Sequence, residues 1–460
     1  MSEGDPQLWF ESALLPVGWA HRVRITGREG VISSVESDVD PTDADERHAV
    51  GIPGLPNVHS HAFQRAIAGL TERRGPTEDS FWTWRELMYR FVERIDPDQL
   101  EAVTALAFAQ MLEAGFTRVG EFHYLHQDKS GVPFADAGEL AGRVAAAAAA
   151  TDIGLTLLPT FYAHGGFGAR EPSARQRRFV TDLERFARIV ESSRTAVRSL
   201  AGGNAGVAPH SLRAVTPQEL HSVVALASGG PIHIHVAEQV REVEECVAWC
   251  GRRPIELLFE ATAVDNAWCL VHATHATAAE LERIATTGAV IGLCPMTEAS
   301  LGDGVFPALS FLRRGGRLGI GTDSNVLLDA AAELRLLEYS QRLTRRERNV
   351  LAGESGHSTG RSLFDAALAG GTRALGGAGD AKRCGLAAEA PLDLVSLDAA
   401  HPALIERRED EILDSWIFAA GRDVIDCVWR AGQKVVSGGR HRQREAIVAR
   451  YRRAMKALLA

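Results

Sequence analysis

The sequence predicts an α/β chain: a (β/α)8 TIM barrel, with a small β-sandwich domain built from the N- and C-terminal segments. Three observations lead there. The chain has 460 residues, 45% of them hydrophobic, which is too long for one small domain and enough for a large core. From about residue 51, short apolar runs alternate with longer amphipathic segments, as in β/α repeats around a parallel sheet. Before residue 51 and after about 390, the pattern is one of short strands and turns.

Eight strands are expected near 52–58, 117–122, 153–160, 205–209, 231–236, 267–273, 289–294 and 317–323. Helical patterns separate them, among them 98–114, 136–150, 173–199, 217–227, 277–286 and 330–348. The run Ala145–Ala150 reads as a helix interior. Eight such units over the span 51–389 make a barrel with insertions. The stretches 1–50 and 390–440 supply the β-sandwich domain, and 441–460 forms a basic terminal helix.

Composition narrows the function. The net charge of −9 gives no reason to expect nucleic acid as a partner. The N-terminus has no secretory signal pattern, and no apolar run is long enough to span a membrane. Six cysteines without a C-x-x-C pair read as inert free thiols of a cytoplasmic protein. Cys246 and Cys250 lie one helical turn apart. The expected partner is a small molecule, and the expected assembly a homodimer.

The chemistry lies in residues expected at the strand ends, where a TIM barrel carries its active site. PGLPNVHSHAF places His59 and His61 at positions i and i+2, which share one face of a strand. The fifth strand, PIHIHVAE, brings His235, with Glu238 three residues further on. The sixth, WCLVHATH, ends at His272, and the eighth, RLGIGTDS, at Asp323. Each alone reads as a core histidine or a helix cap; together, at one barrel mouth, they read as a metal centre. His59, His61, His235 and Asp323 suit one divalent ion, Zn²⁺ first, with iron or manganese also compatible. Such an ion makes water acidic near neutral pH. Glu238, His272 and Asp323 are the candidate catalytic groups. The four lysines, Lys129, Lys382, Lys434 and Lys456, all fall away from the expected strand ends. No lysine is therefore in place to bridge two metals, and a single-ion centre is expected.

This combination resembles the amidohydrolase superfamily, and His235-x-x-Glu238 is similar to its mononuclear deaminase branch. The block LPNVHSHAFQRAIAGLTE resembles, more narrowly, the formimidoylglutamate deiminases. The resemblance implies hydrolysis of N-formimino-L-glutamate, an intermediate of histidine degradation, to N-formyl-L-glutamate and ammonia. It also implies substrate contacts at Gln64 and Tyr124, and further ones at Arg85, His210 and Arg213. A substrate with two carboxylates calls for arginine forks and hydroxyls. Arg85 is expected on a long loop after the first strand, and Arg213 on the loop after the fourth. His123 and His126 are expected to be structural or exposed. Two other readings compete: a deaminase of a ring amidine such as guanine, and a catalytically silent barrel kept for protein contacts. The second should have lost some of the six strand-end residues, yet all six are present.

Overall fold

The computed structural model describes residues 6–75, 78–377 and 384–460. Lys382, one of the four lysines weighed above, lies outside them. The N-terminal segment forms β1 (Gln7–Leu15), β2 (Gly18–Arg28), β3 (Val31–Glu36) and β4 (Glu46–Pro53). The barrel strands follow: β5 (Leu55–Ser60), β6 (Phe116–His123), β7 (Gly154–Phe161), β8 (Asn204–Ala205), β9 (Ala208–Pro209), β10 (Ile232–Val236), β11 (Trp268–His272), β12 (Val290–Leu293) and β13 (Arg317–Ile320). The C-terminal segment adds β14 (Leu394–Leu397), β15 (Ile425–Arg430), β16 (Gln433–Ser437) and β17 (Arg440–His441).

The barrel strands form two parallel arcs, β5-β6-β7-β8 with β9 on β7, and β10-β11-β12-β13. Isolated parallel bridges join the arcs on both sides. Ser60 pairs with Asp323 on one seam, and Val207 with Ile232 and Ser211 with His235 on the other. The expected fourth strand is thus two short pieces separated by Gly206 and Val207. A Cβ on Gly206 would lie 2.1 Å from the Pro231 carbonyl. Glycine also lets β13 meet β5: a Cβ on Gly321 would come within 2.9 Å of the His59 backbone, a contact no other residue can make. Val58, Cys269, Val271 and Val290 pack together as a small cluster from both arcs. Helices on the outside bury the larger apolar core against the strands.

The terminal segments come together in one hydrogen-bonded ladder, ordered β17-β16-β15-β14-β4-β1-β2-β3. β4, which pairs parallel with β1 and antiparallel with β14, joins the two segments. The sheet curls so that β3 meets Pro391 and β1, β2 and β3 share a core with β14 and β15. One expectation needs correction. The helix expected over 173–199 begins only at Leu183, behind Asp182, whose side chain accepts from the Arg185 N–H. That N-cap starts the helix where the sequence pattern alone did not.

The terminal helix Arg444–Leu459 buries Ile447, Ala454 and Leu458 and packs against the helix Pro97–Leu112. Arg450 reaches Glu101 at 2.6 Å, and Arg444 pairs with Glu113. Two of its basic residues therefore serve docking, while Arg452, Arg453 and Lys456 face solvent.

Candidate metal centre and active-site cavity

The barrel seam puts the first donors side by side. His61 N–H donates to the Asp323 carbonyl at 2.8 Å, and Asp323 N–H to the His59 carbonyl at 2.9 Å. His235 lies in β10, and His272 is the last residue of β11. Several residues at these strand ends turn sharply: Ala237, His272, Ala273, Asp323 and Asn325 all have φ between +43° and +67°. Side-chain-bearing residues avoid that region, and holding each there costs about 1–3 kcal/mol.

Three imidazoles converge. His59 Nε2 lies 3.2 Å from His61 Nε2 and 3.1 Å from His235 Nε2. Asp323 Oδ1 stands 3.3 Å from His61 Nε2 and 3.6 Å from His59 Nε2. The other ring nitrogens show which way the lone pairs point. His61 Nδ1 donates to the Phe122 carbonyl at 2.9 Å, and His235 Nδ1 to the His210 carbonyl at 3.0 Å. Both Nε2 atoms are therefore bare acceptors facing a third imidazole, an arrangement that needs a cation between them. Protons do not fill that role well. Burial holds His59 down to about 3, against the pull of Asp323, and lowers His61 and His235 too. Burial would raise Asp323, but His59, His61 and His272 keep it well below the usual carboxylate range. Three neutral nitrogens and one carboxylate fit a divalent ion. For Zn–ligand distances of about 2.0–2.1 Å, tetrahedral donors sit about 3.3 Å apart, close to the spacings here.

Beside this centre lie the candidate proton carriers. Glu238 Oε1 is 4.0 Å from His272 Nε2, and Glu238 Oε2 is 3.8 Å from Arg213. Burial raises the Glu238 carboxyl to about 7, against the opposing pull of His272 and Arg213. Burial disfavours charge on His272, yet Glu238, Glu298 and Asp323 outweigh it and hold the ring up to about 10. Sequence reading passed over Glu298. Its Oε1 accepts from His272 Nδ1 at 3.1 Å and from the Cys294 N–H at 2.9 Å, which fixes the ring. In CPMTEAS it looks like any acidic residue opening a helix, and its partner is 26 positions away.

One cavity joins these groups to the expected substrate contacts. His61, His235, His272, Asp323 and Glu238 line one part of it, and Gln64, Arg85, Tyr124, His210 and Arg213 line another. Gln64 donates to the Tyr124 hydroxyl at 2.8 Å. Gln64 Oε1 and the Nε atoms of Arg85 and Arg213 are buried without a hydrogen-bond partner, the condition of groups that await a ligand. Arg85 does not sit on a loop. It belongs to the helix Phe81–Val92, with its guanidinium stacked 4.5 Å over Trp82. Arg213 and His210 lie beyond β9, between that strand and the helix Pro217–Ala225. His123 and His126 are buried, and His126 Nε2 donates to the Thr160 carbonyl at 2.7 Å. None of the six cysteines is in a disulfide, and Cys250 alone is half-buried.

Comparison with known proteins gives a consistent picture. A family described as "Amidohydrolase family" matches residues 50–435, and the N-terminal domain of formimidoylglutamate deiminase HutF matches 9–49. Formimidoylglutamate deiminase of Pseudomonas aeruginosa is 49% identical over 436 residues, covering 94% of this chain and 95% of that protein. A crystal structure of an amidohydrolase from Brucella melitensis superposes with a TM-score of 0.95 at 52% identity, covering 99% of this chain and all of that one. An adenosine deaminase from Xanthomonas campestris with bound zinc shares the fold, with a TM-score of 0.81 at 23% identity over 99% and 98% of the two chains.

Proposed function

This chain belongs to the amidohydrolase family, and from that premise we propose that it hydrolyses N-formimino-L-glutamate to N-formyl-L-glutamate and ammonia, a step of histidine degradation. One observation carries the reading: a single cavity is walled by a cation-demanding donor set and by arginine and amide side chains with buried atoms that lack a hydrogen bond. The first suits attack on an amidine-like carbon, and the second suits carboxylates. The 49% identity with a formimidoylglutamate deiminase points the same way.

His59, His61, His235 and Asp323 would hold one divalent ion, with zinc favoured by the three-nitrogen, one-oxygen set. The described lysines support a single ion, because none lines the cavity. When bound, the ion supplies an electrophilic centre that makes water nucleophilic at neutral pH. Glu238 takes a proton from water and hands it to the imino nitrogen. As the carbon–nitrogen bond breaks, the hydroxyl of the tetrahedral intermediate gives up the second proton by way of the same carboxyl, and the nitrogen leaves as neutral ammonia. A carboxyl held near 7 serves both transfers. His272 acts beside Glu238. Charged, and anchored through Nδ1 to Glu298, it donates from Nε2 and stabilises negative charge as the tetrahedral intermediate forms. Arg213 and Arg85 hold the substrate carboxylates, with Gln64, Tyr124 and His210 around its body. We also propose that 1–50 and 390–440 act as one support for the barrel of 51–389. The two family matches meet at 49/50.

The direct test is ammonia release from formiminoglutamate beside guanine and cytosine. Turnover of formiminoglutamate alone is expected, and preference for either ring would transfer the proposal to base deamination. Arg213→Met is expected to raise KM by about 10- to 100-fold, the equivalent of one charged hydrogen bond of about 1.5–3 kcal/mol. Arg213 also offsets the buried carboxylates of Glu238 and Glu242, so a lower thermal midpoint is expected and KM is read well below it. An unchanged KM would place carboxylate binding on other residues.

A further inference from the structure

Outside the barrel mouth, the terminal sheet brings together a second set of metal-ligating side chains. Strands β4 and β15 flank β14, which ends at Leu397, paired with Val50 on one side and Ile425 on the other. His48 of β4, just past that end, faces Asp426 and Cys427, which form the bulge of β15 opposite Ser396. A nitrogen, an oxygen and a sulfur of these three lie within 4.8 Å of one another. We propose that His48 Nδ1, an Asp426 carboxylate oxygen and Cys427 Sγ form a second binding site for a zinc-class divalent cation.

Four features carry this. The His48 ring is fixed, stacked on Phe10 at 5.7 Å and edge-on to Trp429 at 5.0 Å. Its Nε2 donates to Glu46 Oε1 at 2.9 Å, so the lone pair is on Nδ1 and points at Asp426. This is the carboxylate–histidine arrangement that supports metal-bound imidazoles. Nδ1 lies 3.6 Å from Asp426 Oδ2, too far for a hydrogen bond, and the Cys427 thiol, which a cation would deprotonate, donates to the same oxygen at 3.4 Å. Tetrahedral zinc with ordinary bond lengths separates nitrogen from oxygen by about 3.3 Å and sulfur from oxygen by about 3.5 Å. Cys427 is buried while Asp426 is partly exposed, which leaves room for solvent as a fourth ligand and a path of entry. Binding displaces the Cys427 proton to solvent, and the sulfur then donates its pair to the cation. Lys434, paired with Glu46, offsets part of the local negative charge. Such a cation would tie β4, which leads into β5 and His59, to the C-terminal strands.

Cobalt substitution of the full-length protein tests this, because the His₃Asp set of the barrel contains no sulfur. After desalting, the cobalt protein is expected to show a near-ultraviolet thiolate-to-cobalt charge-transfer band and a second equivalent of metal. Cys427→Ser should lose both, and His48→Ala should lose the second equivalent, each with parental activity. Cys294 lies beside His272 and Asp323, so Cys294→Ser is the necessary control and should keep the band. Absence of the band in the parent, or its survival in Cys427→Ser, overturns the site, as does its loss in Cys294→Ser.

Discussion

Glu238→Gln abolishes turnover while the protein keeps its metal: this is the expected result, and the largest single effect. The substitution preserves size and one acceptor oxygen but removes the group that both takes and returns a proton. Glu238 sits 3.8 Å from Arg213 and 4.0 Å from His272, and it makes none of the short contacts that join the three histidines and Asp323. Metal content measured by elemental analysis should therefore match the parent. General acid–base groups contribute about 10²–10⁴-fold each, and one residue serving both half-reactions lies at or beyond the top of that range. A variant retaining a tenth of parental kcat would remove Glu238 from the proton path.

Complete loss of activity on chelation is the second large effect, with recovery on adding back one equivalent of Zn²⁺. The experiment is cleanest in a Cys427→Ser background, where the sheet site cannot compete for the ion. The bare Nε2 atoms of His61 and His235 face His59, so an emptied centre gathers lone pairs with nothing to bind them. Recovery that needs a second equivalent in that background would overturn the single-ion reading.

Much of the centre was legible because its signals are local. His59-Ser60-His61 encodes a shared face within three residues. His235-x-x-Glu238 and His272 mark the ends of apolar runs that can be recognised without neighbours. The glycines before Asp323 announce a close backbone approach, and Gly321 makes one against His59. What escaped depends on pairing across long sequence separations. Nothing in the N-terminal strands says that β4 will join β1 to β14. The segment FWTWRELMYR is so dense in aromatic residues that it shows no clean polar face. Its helix is set instead by Ser80 and Thr83 at the start, which carries Arg85 to the cavity wall. Glu298 has meaning only through His272, on another strand.

The left-handed turns at Ala237, His272, Ala273, Asp323 and Asn325 have a consequence for the protein's history under selection. Two of them, His272 and Asp323, hold site side chains and the others shape the backbone beside them, so the barrel mouth opposes the stability of the fold that carries it. Screening for heat tolerance alone should relax these corners first and return robust, inert barrels. Any hardening of this scaffold must come from positions far from the rim.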